Sequence, residues 1–299
     1  MRKIRTYQDV SHSTESELLE QVIEQQERLA DRLSPIKCLV AIASGKGGVG
    51  KSAITANLAV GLASRGFKVG ATDADLNGPS LGRMLNVSGA TLGDSADGVA
   101  PAKSPTGVSV MSMELLQSEA DAPLQWREPS LGGFIWQSSL ETGVLREFLG
   151  DVAWGDLDVL LIDVPPGTDK IKRLLEILPS LDLMLLVTTP SETTRFVVAK
   201  SIRLAQEARI ENIGLVENME SHVCPSCGHV SKLFGTEANE EELPYGTVSL
   251  WGSIPFDPRL GASTDEGRPL ISTDPTAAVS IALQALVERV SEHINGGAQ

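Results

Sequence analysis

The sequence predicts an α/β fold, with a doubly wound, mostly parallel sheet flanked by helices. Three observations carry that expectation. Short, mainly apolar runs (Cys38–Ala43, Leu157–Asp163, Asp182–Thr188) alternate with longer stretches of helical periodicity, the pattern of βα units. A glycine-rich loop, Gly45-Lys46-Gly47-Gly48-Val49-Gly50-Lys51-Ser52, joins the first run to the first of the helices that follow it. The run over Leu157–Asp163 ends in an acid, at the edge of the sheet where such a loop would lie. Strand, glycine loop and helix together make the loop a phosphate site, because it meets G-x-x-x-x-G-K-[ST] at every fixed position.

Composition sets the bounds. The 299 residues suffice for one large α/β domain. No apolar run approaches the ~18 residues needed to span a bilayer, and the charged start Met1–Arg5 has no apolar run behind it, so no secretory signal is expected. Lys and Arg number 25 against 39 Asp and Glu, a net charge of −14. That sign repels nucleic acid and anionic lipid, so neither is an expected partner. Three cysteines, an odd count, fit a reducing compartment. The expectation is a cytoplasmic protein.

Residues 1–35 read as an N-terminal segment, and 36–299 as the nucleotide-binding domain. Within the segment, Thr14 and Glu17 form a capping-box pair, and Leu18, Leu19, Val22, Ile23, Leu29 and Leu33 recur at helical spacing until Ser34-Pro35. Cys38–Ala43 reads as a buried strand and Ala53–Ala63 as a helix, with Ile54, Leu58 and Leu62 on one face. In the loop between them, glycines let backbone N–H groups surround phosphate oxygens, and the helix N-terminus adds positive potential. Lys51 is placed to reach the β/γ-phosphates and Ser52 to ligate Mg²⁺.

Lys68–Thr72 reads as the second strand, ending in Asp73-Ala74-Asp75-Leu76-Asn77-Gly78-Pro79-Ser80. Carboxylates there lie where Mg²⁺ and attacking water would be; a turn and capping cluster is the alternative. Gly89–Gly107 reads as a surface excursion and Val108–Met111 as a strand. Trp126-Arg127-Glu128-Pro129 reads as a turn before a helix from about Ser130 to Leu149.

Leu157–Asp163 is expected to be a buried parallel strand whose terminal Asp163 holds the water shell of Mg²⁺. Val164-Pro165-Pro166-Gly167-Thr168 follows as a rigid turn whose glycine N–H is suited to sense a γ-phosphate. Asp182–Thr188 and Ile213–Val216 read as further strands, the latter ending near Asn218; Val248–Trp251 reads as the last. Ile254-Pro255-Phe256-Asp257-Pro258 reads as a stiff loop able to wall an adenine, and Pro275–His293 as the final helix.

Cys224-Pro225-Ser226-Cys227 is a C-x-x-C flanked by His222 and His229. Pro and Gly in the knuckle let both sulfurs face one metal with backbone N–H groups aimed at the thiolates. The pair supplies two ligands. Either the histidines complete a Cys₂His₂ site under strain, or a two-fold dimer assembles four thiolates; a redox pair is a further alternative.

Lys46, directly after the first loop glycine, makes this loop resemble the deviant Walker A of the MinD/ParA-like P-loop ATPases (the SIMIBI class of P-loop NTPases). In that class the extra lysine reaches across a dimer to the other subunit's phosphates. From about residue 36 to the end, the chain closely resembles the Mrp (ApbC-like) iron–sulfur cluster carrier family. The resemblance rests on Asp73–Ser80, Trp126–Pro129, Asp163–Thr168, Glu217-Asn218-Met219 leading into Cys224–Gly228, Ile254–Pro258 and Asp265-Glu266-Gly267-Arg268-Pro269. It implies an ATPase homodimer that binds a 4Fe–4S cluster between subunits through Cys224 and Cys227, carried on a loop at about 217–235. The cluster would pass to apo-protein clients, alongside assembly machinery, with ATP turnover as the switch.

On this resemblance Lys46, Lys51, Asp75 and Asp163 are the catalytic set, with Asp75 orienting water. Gly45, Gly47, Gly48, Val49, Gly50, Lys51, Ser52, Ala53, Asn218 and Pro255 would hold ATP, Asn218 at the adenine edge. Ser52 and, through water, Asp163 would hold Mg²⁺. The chain departs from the family at Thr168-Asp169-Lys170, where Gly and Asp usually follow the threonine, which bears on hydrolysis rate. Zinc is the competing metal at the cysteines. A ParA/MinD-type partitioning ATPase and a zinc-bridged targeting ATPase are the competing functions; the acidic charge and the absence of a Met-rich groove count against them.

Overall fold

The strand over Leu39–Ala43 (β1) is buried at every position, because both faces of the sheet are covered. Its side chains alternate between two cores: Val40 and Ile42 pack on one side, Leu39, Ala41 and Ala43 on the other. This is why it reads as a continuous apolar run rather than an alternating one. Full burial of each Val, Leu or Ile stabilises by about 1.5–3 kcal/mol before entropy is counted.

The computed structural model describes residues 26–74, 78–116, 133–178, 180–224, 226–234 and 248–296. The start of the expected Thr14 helix, Asp75 to Asn77, the Trp126–Pro129 turn, Pro225 and Glu237–Tyr245 lie outside them. The end of the first helix, α1 (residues 26–33), is described, and its Leu29 and Leu33 are buried. After β1 come α2 (Lys51–Ser64), β2 (Val69–Asp73), α3 (Leu81–Met84), β3 (Gly93–Ser95), β4 (Gly98–Ala100), β5 (Ala102–Lys103) and β6 (Ser109–Met111). The second half holds α4 (Gly133–Gly150), β7 (Val159–Asp163), α5 (Thr168–Ile177), β8 (Leu183–Thr188), α6 (Glu192–Glu207), β9 (Ile213–Val223) and β10 (Val230–Lys232). It closes with β11 (Ser249–Phe256), α7 (Pro258–Asp265), α8 (Leu270–Thr273) and α9 (Ala278–Gly296).

Among the described residues the main sheet has nine strands in the order β10-β9-β8-β1-β7-β2-β6-β5, with β11 also paired to β9. β1 lies between β7 and β8, all parallel. Helices α2 and α9 cover one face, α4, α5 and α6 the other. The expected doubly wound architecture is present.

Four sequence expectations change in detail. The Gly89–Gly107 excursion is partly ordered: β3 and β4 form a hairpin, and β5 pairs antiparallel with β6 at the sheet edge. β9 does not stop near Asn218 but runs on to Val223. Ile254, Pro255 and Phe256 belong to β11 rather than to a loop. Pro255 is tolerated there because, among the described residues, β11 pairs only with β9 and its register shifts between Ile254 and Phe256. The last helix begins three residues late, at Ala278, but buries the expected Val279, Leu283, Leu286 and Val290.

Candidate functional site

Parallel pairing brings the C-terminal ends of β1, β2 and β7 to one edge, and the chemistry collects there. Gly50 caps α2 at φ 84°, a left-handed conformation, and no side chain bonds the first N–H groups of that helix. They stay free to meet an anion. A methyl group at Gly50 would sit 2.3 Å from Asn218 Nδ2, so only glycine lets the loop pass beneath that amide.

Lys51 and Ser52 converge on Asp163 at the end of β7. Lys51 Nζ lies 2.7 Å from Asp163 Oδ1 with both side chains buried, and Ser52 Oγ donates to Oδ2 at 2.5 Å. Thr55, one helical turn on, donates to Oδ1 at 2.9 Å. Sequence reasoning missed Thr55; the signal was its i+4 spacing from Lys51, which puts both on one helix face. A buried ion pair is tolerable only when its remaining lone pairs are satisfied, and here they are.

Asp73 is the register partner of Asp163 across β2 and β7. It is fully buried, and its Oδ2 accepts from the backbone N–H groups of Ser80 and Leu81 at 2.7 and 3.0 Å. The first acid of the Asp73-Ala74-Asp75 run therefore anchors the loop that carries the second. Gly167 N–H, suited to sense a γ-phosphate, donates here to Ser44 O at 3.0 Å. That bond closes the Val164–Thr168 turn against the end of β1.

Asn218 lies on β9 beside the loop. It is buried, its Nδ2 donates to Val49 O at 2.8 Å, and its Oδ1 has no hydrogen-bond partner among the described residues. An orphaned buried acceptor of this kind is costly unless a ligand donor reaches it. Lys46 is exposed at the loop's outer side, and Pro255 is half-buried on β11. Asp75 falls outside the described residues.

Beyond Asn218, β9 runs on past the end of its pairing with β8 and pairs antiparallel with β10. The turn between them holds the cysteines. Cys224 N–H donates to His229 O at 2.9 Å, and Gly228 N–H donates to Cys224 O at 2.8 Å. Backbone N–H groups of Ser226 and Cys227, with the Cys227 thiol, hold the Cys224 thiol below its ordinary value. Cys224 is half-buried and Cys227 exposed. Cys38, by contrast, is buried in the first strand region, and burial, with Asp182 adding, pushes its thiol up to about 12. Among the described residues no group of three or more His, Cys, Asp or Glu is arranged to hold a metal. His222 and His229 do not complete the pair. His222 sits against Phe256 instead, ring centroids 6.3 Å apart. No helix among the described residues is long and apolar enough to cross a membrane.

Known proteins are similar to this chain over most of its length. The chain is 36% identical over 274 residues to an iron–sulfur cluster carrier protein of Methanocaldococcus jannaschii, covering 91% of this chain and 90% of that one. It is 34% identical to a cytosolic Fe-S cluster assembly factor NUBP1 homolog of Caenorhabditis briggsae, covering 90% and 85%. Among solved structures it is similar to a nucleotide-binding protein from Archaeoglobus fulgidus in complex with ADP, at 37% identity and a TM-score of 0.68, covering 81% of this chain and 91% of that one. It is also similar to the Pyrococcus furiosus cell division ATPase MinD, at 26% identity and a TM-score of 0.59, covering 86% and 99%. The family description "ParA: NUBPL iron-transfer P-loop NTPase" matches residues 35–291. The chain belongs to this family of iron-transfer P-loop NTPases.

Proposed function

We propose that the chain is an ATP-dependent iron–sulfur cluster carrier. It binds a 4Fe–4S cluster between two copies of itself and passes it to apo-protein clients, in the cytoplasm, with ATP binding and hydrolysis as the switch. The observation that carries this reading is β9: one strand holds Asn218 against the glycine loop and ends at Val223, directly before Cys224. Asn218 and Cys224 are six positions apart, at most about 20 Å of extended chain.

The residues fit a nucleotide. The open N-terminus of α2 and the loop N–H groups would take the phosphates, and Asn218 Oδ1 would accept from the adenine amine. Mg²⁺ would supply charge neutralisation on the phosphates. Lys51 and Ser52 would exchange Asp163 for phosphate and metal, leaving Asp163 to hold the metal's water. Lys46 would reach the partner's nucleotide. Asp75 would orient water, positioned by the loop that Asp73 anchors. Gly167 would release Ser44 O to meet a γ-phosphate. Asp169 in place of the family's glycine follows directly in the first turn of α5, so turnover is expected to be slow.

The cargo site fits thiolate ligation. Two cysteines, with the N–H groups of Ser226 and Cys227 aimed at the Cys224 sulfur, are half of a four-thiolate set, and a two-fold dimer would supply the other half. Residues 1–35 would act as a segment appended to the ATPase domain at 36–299.

Anaerobic reconstitution with iron and sulfide, followed by anion exchange, tests the reading. The expected product absorbs near about 400 nm, the region of thiolate-bound iron, and transfers its iron to an apo-ferredoxin-type acceptor at a rate that ATP changes. A colourless product that retains stoichiometric zinc and never takes up iron would overturn it in favour of a zinc-bridged ATPase.

A further inference from the structure

Phe196 is 75% exposed, the most open of the large apolar side chains among the described residues. It stands in the first turns of α6, at the sheet edge that carries the glycine loop. Its neighbour Val197 closes on that loop: a methyl group at Gly45 would sit 2.3 Å from Val197 Cγ1. One residue therefore touches the loop's first glycine while the next projects into solvent beside it. Nothing among the described residues explains an aromatic ring left in water at that place.

The edge as a whole has the same character. Of the seven exposed large apolar side chains among the described residues, five lie at the C-terminal ends of the strands or just beyond: Leu116 after β6, Phe196, Val230 and Leu233 on the cysteine hairpin, and Phe256 at the end of β11. Leu250, at the start of β11, lies at the opposite edge. Lys200 and Arg203, both exposed, follow Phe196 at i+4 and i+7 on the same face of α6. An acidic partner would complement them.

We infer that Phe196 is an anchor of self-association, packing against a second copy of this chain when the two nucleotide edges face each other. The occupant is a second copy for two reasons. The cysteine pair on this same edge is incomplete, two thiols without a third ligand among the described residues, and only another copy brings an identical pair to it. The chain's net charge is also −14, so a second copy is on balance an acidic partner for Lys200 and Arg203. Aromatic side chains are enriched among the few residues that dominate association energies. Because Val197 lies against Gly45, docking at Phe196 would also fix the loop that binds phosphate.

This inference rests on the proposed dimeric carrier, and one experiment separates the two. Sedimentation velocity of the full chain with Mg²⁺ and a slowly hydrolysed ATP analogue, and again after anaerobic cluster loading, gives the dimer dissociation constant. Wild type and Leu250→Ala should dimerise alike. Phe196→Ala should weaken dimerisation at least about tenfold and Phe196→Asp more, with the affinity of the monomer for ADP unchanged. Phe196 is too exposed for either change to unfold the chain, and far-ultraviolet circular dichroism checks this. If wild type dimerises and both Phe196 variants match it, the inference is wrong and the carrier reading stands. If wild type stays monomeric in both conditions, the carrier reading itself fails.

Discussion

The glycine loop and the cysteine hairpin lie on one strand's path, yet they are built on opposite principles. At the loop, Lys51, Ser52, Thr55 and Asp163 satisfy one another inside a single chain, buried and hydrogen-bonded. At the hairpin, two thiols stand at the surface with no third ligand among the described residues. A site complete in one chain can be assembled by folding alone. A site left half-built, with backbone N–H groups holding the Cys224 thiol below its ordinary value, is in the proposed function one that a second molecule finishes. In the proposed function the first region holds the switch and the second the cargo.

If the two regions are separate modules, damage to one should spare the other. Cys224→Ala should abolish cluster loading outright, read as loss of absorbance near about 400 nm, while calorimetric ATP affinity stays within about twofold. Loss of ATP binding in that variant would break the comparison. Lys51→Ala attacks the other side. It removes the partner of a buried carboxylate, which costs about 3 kcal/mol of stability, and should weaken ATP binding by about a hundredfold or more. Iron uptake into Cys224 and Cys227 should persist in the folded fraction. Gly50→Ala should have a smaller but still local effect. The left-handed φ costs about 1–2 kcal/mol for a residue with Cβ, and the new methyl would displace the Asn218 amide. The measurable result is ADP binding weakened about tenfold.

The smallest effect belongs far from both sites. Asp158 pairs with Lys37 and accepts from Lys68 N–H at 2.7 Å. The hydrogen bond from Lys37 leads the causes that hold its carboxyl below the ordinary 3.8. A depressed value in the fold means stability that is present above 3.8 and is lost as pH falls through the lower folded value. Asp158→Asn should therefore lower stability by about 1 kcal/mol or less at neutral pH, given the exposure of Lys37. In denaturant titrations the gap should close below pH 3.8 and should leave nucleotide and cluster binding untouched.

The same contrast explains what the sequence made legible. β1, β7 and β8 were readable because burial on both faces demands apolar runs, and the loop because its glycines and lysine have no other common use together. The length of β9 was not. Asn218-Met219-Glu220-Ser221-His222 looks like loop, since a strand that runs past its buried neighbour β8 is only partly buried and needs no apolar alternation. Pro255 concealed the end of β11 for a related reason, an edge strand at a register shift having no N–H to satisfy. The bond from Gly167 to Ser44 and the approach of Val197 to Gly45 join residues distant in sequence, and no local pattern announces such contacts. Cys224 and Cys227 were visible as a pair, and the structure removes the histidine completion that spacing alone left open.

The central claim is that the hairpin is half a site. Its direct test is the mass and iron content of the anaerobically loaded protein, measured together by light scattering and elemental analysis across an eluting peak. The account predicts a dimer carrying four iron atoms per two chains, and none on a Cys227→Ala dimer. Four iron atoms on a monomer, or iron retained without Cys227, would contradict it.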